Sequence, residues 1–328
     1  MIKKLVGFSI IGAVLLIAPL VWLLWQASAI HQPSEPVEVM ISKGSSTIKI
    51  GRLLEEQGVI PSKLAFRFAA RLKGVSAGLK SGLYRFEEPA SINAVLDRLE
   101  RGDVMRFQVT VPEGLRNDEI VALLVEKTGV KATVWQSEIN KLLPDGAEGR
   151  LLPETYQYTK PLNASELLNA MVRAQQEVLA ALTSDPVRQQ QLRIAASIIE
   201  KETMLENERP LVSAVIRNRL KIGMPLQMDP TVIYGIWKTT GSFSGNIRKK
   251  DLAADTPWNS YTRKGLPPTP IGNPGAASLK AAAAPADVDY LYFVADGTGG
   301  HKFAATHEAH LDNVEQWIKI ERKKNSGK

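Results

Sequence analysis

The feature that most restricts how this chain folds is a run with no charged side chain, Leu5 to Trp25, directly behind Met1, Ile2, Lys3 and Lys4. About 21 residues at ~1.5 Å of helix rise each span roughly the 30 Å of a bilayer's hydrocarbon core, so residues 5–25 are expected to form a transmembrane anchor. Lysines precede the run and no basic cluster follows it. Residues 1–4 are therefore expected to be a cytoplasmic stub, and the bulk of the chain to lie across the membrane. Trp22 and Trp25 suit the outer interfacial belt. A cleaved signal peptide is the competing reading, because Ala27-Ser28-Ala29 fits a small-x-small cleavage site. The run is longer than the ~7–15 residues of a signal core, which favours an uncleaved, single-pass anchor in the cytoplasmic (inner) membrane. The chain has no cysteine, which removes disulfides, thiolate nucleophiles and thiolate metal ligands and suits an exported protein. Its net charge of +7 comes from scattered residues such as Lys3, Lys4, Lys323, Lys324 and Lys328. No nucleic-acid motif accompanies them, so nucleic acid is not expected as a partner.

Behind the anchor, residues 26–36, with Pro33 and Pro36, read as a linker. A small α/β module is expected over 37–105. Val37, Val39 and Ile41 alternate as a half-buried strand, and Gly44 to Thr47 make a turn and helix cap. Ile50, Leu53 and Leu54 share one helical face, and Gly58 closes that helix. A helix from Ser62 to Leu72, a strand Gly82 to Phe86, and a Ser91-capped helix Ile92 to Arg101 follow. VMISKGSSTIKIGRLLEEQGV resembles the strand, KG(D/S)(T/S) turn and helix of LysM-like carbohydrate-binding modules. The unit has an echo at 109–130: Val39, Gly44, Ile50, Leu53, Leu54 and Glu56 are matched by Val109, Gly114, Ile120, Leu123, Leu124 and Glu126. Two ordinary βα units that share a turn solution would give the same pattern.

The remaining 106–328 is expected to be a mixed α+β domain, so the whole chain is α+β: an anchor, a LysM-like module and this domain. From Trp135 to Leu182 the pattern is mostly helical, interrupted by GRLLPETYQYTKP, where Tyr156 and Tyr158 either wall a cleft or fill a core. Chemistry concentrates in RIAASIIEKETMLENERPLVSAVIRNRLKIGMPLQMDPTVIYG. Ile194, Ile198 and Leu205 suggest the buried stripe of a helix, paired with a second helix over Pro210 to Ile222. Glu200 ends the apolar run, where partial desolvation would raise its pKa toward the range of a general acid. Glu202 lies roughly 200° around the helix, so the two acids face different sides and are not a catalytic pair. Solvated Glu and Lys on a helix face would look the same. The following segment, with Gln227, Asp229 and Tyr234, reads as a Gly/Pro-punctuated loop. Asp229 before Pro230 suits either a cap or a binding group. Rigid loops holding Trp258, Asn259 and Tyr261 continue to Gly275, and an alanine-rich helix capped by Ser278 follows. A strand from Tyr290 to Ala295 and its partner His301-Lys302-Phe303 make a hairpin, and a final helix begins near Thr306. His301, His307 and His310 have no standard metal spacing, so no metal or cofactor is expected.

ASIIEKET, NRLKIGMPLQMDPTVIYG, TPWNSYTRKGLPPTPIGNPG, SLKAAAAP and YLYFVADGTGGHKFAATHEAH together resemble the YceG-like family over nearly the whole chain. The resemblance implies a peptidoglycan lytic transglycosylase that cuts within nascent glycan strands and ends their elongation, with peptidoglycan synthases as partners. It also implies that Glu200 is the catalytic acid. Gln227, Asp229, Tyr234, Asn259 and Tyr261 are expected to bind substrate around it. Two departures from the family pattern are Trp258, where tyrosine is usual, and Arg217, where an apolar or aromatic residue is usual. Glycosidases use two carboxylates, whereas a transglycosylase manages with one, because the muramic acid 6-hydroxyl attacks from within the substrate. Two rivals remain: an anchored wall-binding or scaffold protein with a structural Glu200, and a hydrolase that leaves reducing ends.

Overall fold

The computed structural model describes residues 17–326. Residues 1–16, which include most of the expected anchor, lie outside them. Residues 17–28 are helical (α1), with Ile17, Val21, Trp22 and Trp25 exposed. Among the described residues no helix is long and apolar enough to cross a membrane. The chain forms two compact units: one runs to Gln108 and takes in Gln157–Asn163, and the other comprises Val109–Tyr156 and the chain from Ala164 onward.

The first unit holds α1, β1 (Ile30–His31), β2 (Val37–Ile41), α2 (Thr47–Glu56), α3 (Lys63–Leu72), β3 (Gly82–Phe86), β4 (Ala90–Ser91) and α4 (Ile92–Arg101). β2 pairs antiparallel with β3, Val37 opposite Phe86 and Ile41 opposite Gly82, and its alternation buries Val39 and Ile41. Ser46, Ser62 and Ser91 cap the three helices, each accepting a backbone N–H of the first turn, and Gly102 ends α4 in the left-handed region. Ile92, Val95, Leu96 and Leu99 form the buried stripe of α4, each contributing up to roughly 1.5–3 kcal/mol of burial. The stretch expected to be a linker is partly built in: β1 pairs with β4, His31 Nε2 bonds Gly58 O at 2.9 Å, and Ala27 joins the core.

The second unit carries the chain onward through β5 (Arg106–Thr110), α5 (Asn117–Thr128), α6 (Ala132–Leu142), β6 (Thr155–Thr159), α7 (Ala164–Leu182), α8 (Pro186–Glu202), α9 (Arg209–Lys221), α10 (Asp229–Thr240), α11 (Lys249–Leu252), α12 (Ala276–Ala283), β7 (Tyr292–Ala295), β8 (His301–Ala304) and α13 (His307–Ser326). The chain passes between the units within β5 and β6, which pair with each other. The fold is mixed α+β and mainly helical, its strands joined in pairs. α8 packs against α9 and α12, and α7 lies against α12. Their core holds Leu179, Leu192, Ala196, Ile198, Ile199, Val212, Val215, Ile216, Leu279 and Ala282. Small residues of α12 let it approach α8 closely, which is the use of the alanine run.

Three details depart from the sequence expectation. Leu205 is 40% exposed and lies beyond α8, because Thr203 turns extended and ends the helix at Glu202. The segment read as a loop around Tyr234 is helical: Pro230 stands in the first turn of α10, where its fixed φ and missing N–H start a helix. Ser278 is not a cap but a buried residue inside α12, whose N-cap is Gly275.

Candidate active site

α8 is started by Asp185, whose carboxylate accepts the Val187 N–H, and by Pro186 behind it. Its apolar stripe is clamped in the core, which fixes the rotation of its last turn. Ser197 Oγ accepts the Ile271 N–H at 3.0 Å and donates to Ile194 O at 2.8 Å, tying that turn to the loop before α12. One turn further on, Glu200 is almost enclosed, with 5% of its side chain exposed. Its Oε2 accepts the Gly275 N–H at 2.8 Å. Gly275 is the N-cap of α12, so the positive end of that helix is directed at the Glu200 carboxyl.

Glu200 is not alone. Glu113, in the turn between β5 and α5, stands beside it, because both carboxyls reach Gly275. Arg209, the first residue of α9, places Nη2 3.6 Å from Glu200 Oε1 and 3.6 Å from Glu113 Oε2. Burial, and then the charge of Glu200, push the Glu113 carboxyl above its ordinary value, with Glu154 adding and Arg209 opposing. Glu113 remains 44% exposed and forms the solvent side of the pair. Backbone close approach makes the arrangement fit. Gly114 N donates to Asn273 O at 2.8 Å and Asn273 N to Leu115 O at 2.9 Å, and a Cβ on Gly272 would meet Gly114 O at 2.6 Å. The Asn273 side chain locks the same turn, donating to Leu115 O and Asn117 Oδ1 and accepting the Leu151 N–H. Gly114 has φ +77, nearly that of Gly44 at +79, so the two echoing turns share a backbone solution.

Glu202 faces a separate cluster, as the helical turn between the acids requires. Burial, then the charge of Asp229, push Glu202 up to about 8, with Arg219 opposing. Its Oε1 is enclosed without a hydrogen-bond partner. Tyr261 donates its hydroxyl to Asp229 Oδ1 at 2.6 Å, and burial pushes that phenol upward. Arg219 holds Leu291 O and Leu226 O at 2.6 Å each, and burial lowers its pKa. Gln227 N donates to Ser260 O at 3.0 Å and Met228 N to Ser260 Oγ at 2.9 Å, which stitches this segment to the 259–261 turn.

The structure thus brings Gln227, Asp229, Asn259 and Tyr261 together, and the charge of Asp229 acts on Glu202 and that of Glu202 on Tyr261. Asn259 is 1% exposed and its amide is used internally, donating to Leu252 O and Ala254 O and accepting the Tyr261 N–H. Gln227 is exposed with φ 50, the one non-glycine residue among those described with positive φ, a cost usually kept where function demands it. Tyr234 is a core residue that donates to Glu148 Oε2 at 3.2 Å and packs against Trp237 and Trp258. Burial pushes Glu148 up to about 7. Trp258 donates to Thr269 Oγ1 at 2.9 Å and, with Tyr234 and Glu148, lines a hollow of about 360 Å³. Arg217 donates to Ala286 O at 3.2 Å. Tyr156 donates to Leu152 O, while Tyr158 stacks on Phe107. His301 is held by Glu208, which accepts its backbone N–H and bonds Nδ1, both at 2.7 Å, while also accepting the Thr203 hydroxyl. Glu113 and Arg209 were missed in the sequence. The visible signal for Glu113 was that it stands in the echoed turn where the first copy has Lys43.

The model of the YceG-like family matches residues 39–316. An endolytic murein transglycosylase of Bacillus subtilis (strain 168) is 31% identical over 316 residues, which cover 88% of this chain and 86% of the relative. One of Streptococcus pneumoniae serotype 2 (strain D39 / NCTC 7466) is 28% identical over 86% of this chain but only 58% of its own length. A crystal structure of a YceG-like protein from Listeria monocytogenes matches with a TM-score of 0.55 at 30% identity, covering 85% of this chain and 99% of that one. With the family model matching residues 39–316 and a 31% identical relative aligned over most of both lengths, the chain belongs to the YceG-like family.

Proposed function

We propose that this chain is an endolytic peptidoglycan lytic transglycosylase with Glu200 as its acid. The observation that carries the reading is the enclosed Glu200 carboxyl, held by the Gly275 N–H with Arg209 beside it, in a family whose named relatives are murein transglycosylases. Glu200 gives its proton to the oxygen leaving C1 of N-acetylmuramic acid as the C1–O bond breaks. The muramic 6-hydroxyl then attacks C1 and returns its proton to the site, leaving a 1,6-anhydro end and consuming no water. Intramolecular attack supplies the positioning that a hydrolase obtains by holding a water. Gln227, Asp229 and Tyr261, beside Glu202, are read as sugar-contacting groups, and the first unit as a glycan-holding module.

The test is mass analysis of products from purified wall glycan treated with the full-length protein in detergent. Internal cuts ending in 1,6-anhydromuramic acid are expected. Reducing ends would make the protein a hydrolase, and binding without cleavage would make it a scaffold. Residues 5–25 are read as the anchor that confines cutting to nascent strands near the membrane and their synthases, so that the enzyme ends elongation. A mature chain beginning at Ile30 in the soluble fraction would refute the anchor.

A further inference from the structure

We propose that Glu113 is a second catalytic carboxyl, sharing with Glu200 the one proton that the transglycosylation moves and recovering it in each turnover. This rests on the reading of Glu200 as the acid. Three features of the geometry support it. Arg209 Nη2 is equidistant, 3.6 Å, from Glu113 Oε2 and Glu200 Oε1, so one guanidinium serves both carboxyls. Gly275 donates its N–H to Glu200 and leaves the space of its absent Cβ to the Glu113 carboxyl, so both acids are seated on one residue. Glu200 Cγ stands 3.5 Å from where a Cβ on Gly114, next to Glu113, would lie, so the two acids share one pocket, and two neighbouring carboxyls disfavour a second charge.

Charge balance points to the same state. Two carboxylates against one guanidinium leave an excess negative charge in a partly enclosed site, and one shared proton removes it. The groups facing Glu113 are Glu200 from α8, Arg209 from α9 and Glu154 ahead of β6, with burial and the two acids raising it and Arg209 opposing. Lys201 Nζ stands 3.5 Å from where a Cβ on neighbouring Gly114 would lie. A proton on Glu113 is thus held to higher pH than on a lone carboxyl.

The step balances. The proton passes from Glu113 to Glu200 within their shared seat, and Glu200 delivers it to the leaving oxygen as the C1–O bond breaks. The two carboxylates then face the positive sugar carbon. Glu113, the exposed member, takes the proton of the 6-hydroxyl as that oxygen bonds to C1, which restores one proton to the pair.

The test compares wild type, Glu113→Gln, Glu113→Asp and Glu200→Gln as full-length proteins in detergent on purified wall glycan, reading kcat, KM and the rate–pH profile from anhydro-product formation. Glu113→Gln is expected to lower kcat by about tenfold or more, with KM within about threefold, and to move the alkaline limb to lower pH because the shared proton is no longer retained. Glu113→Asp should keep an alkaline limb at reduced kcat. A Glu113→Gln enzyme with an unaltered profile and kcat within about twofold of wild type overturns the proposal. If Glu113→Gln does not fold, Glu113→Asp decides: unchanged kcat overturns it, and reduced kcat at kept KM supports it. Glu200→Gln with wild-type turnover overturns the acid assignment itself, whereas an inactive Glu200→Gln beside an unaffected Glu113→Gln removes only the part given to Glu113.

Discussion

Replacing Gly275 with alanine separates the acid pair from the stability of the fold. Gly275 has φ −72 and ψ 168, which alanine adopts without strain. A Cβ there would lie 2.9 Å from Glu113 Cγ and closer still to its carboxyl. Ordinary contacts to carbon are ~3.5–4.0 Å, and Glu113 Oε1 would lie 1.7 Å from that Cβ, so the carboxyl must withdraw by roughly 2 Å. It is 44% exposed and has solvent to swing into, so the backbone need not move. Loss of a glycine N-cap costs up to about 1 kcal/mol, and the smaller entropy of the unfolded alanine chain offsets about 0.4–1 kcal/mol. The expected change in Tm is therefore at most roughly 2–4 °C. The seat that the two carboxyls share is lost, and misplacement by as little as about 1 Å at a reacting centre costs up to ~100-fold. We expect Gly275→Ala to lower kcat by about ten- to hundredfold while calorimetry shows a nearly native transition. Combined with Glu113→Gln, the losses should not add, because both act on one pair. Turnover within about twofold of wild type would refute the reasoning. A fall in Tm above about 10 °C would show that the backbone yields instead of Glu113.

Three further outcomes are expected. Glu202 is pushed up to about 8 when folded, against an ordinary value of 4.5; the folded state holds the extra proton, so its contribution is full below 4.5 and is lost as pH rises to about 8. Wild-type stability should decline over that window by roughly a few kcal/mol, and Glu202→Gln should flatten the decline in denaturant titrations, with an unchanged slope counting against the assignment. Asn259→Ala removes three internal hydrogen bonds and should cost about 2–4 kcal/mol with KM unchanged, whereas a raised KM at native stability would return Asn259 to the substrate. Gln227→Gly should relieve the positive φ, raising stability by up to about 1 kcal/mol while weakening glycan binding; equal or tighter binding, measured by pull-down on wall glycan, would remove Gln227 from the site.

The helices and strands of the first unit were legible because each has a local signal: Ser46, Ser62 and Ser91 before apolar stripes, and alternation at Val37, Val39 and Ile41. The position of Glu200 at the end of an apolar run was legible for the same reason. Its partners were not, because Glu113 and Gly275 reach it across long stretches of chain and no periodicity records such a meeting. Asn259 and Tyr234 looked like binding groups because residue type does not say where a side chain is spent. Pro230 misled in the same way: it punctuates loops and starts helices alike, and α10 depends on which use prevails.

The site described around Glu200 also has a position in time. Its parts lie in three segments, the turn of Glu113, the corner from Glu200 to Arg209, and Gly275, and the last two acceptor and donor atoms are separated by 75 positions. Such distant closures are entropically late in folding. A chain emerging from its amino end holds both acids well before it holds the residue that seats them. A growing or truncated chain that stops short of Gly275 therefore carries the glutamates without their seat.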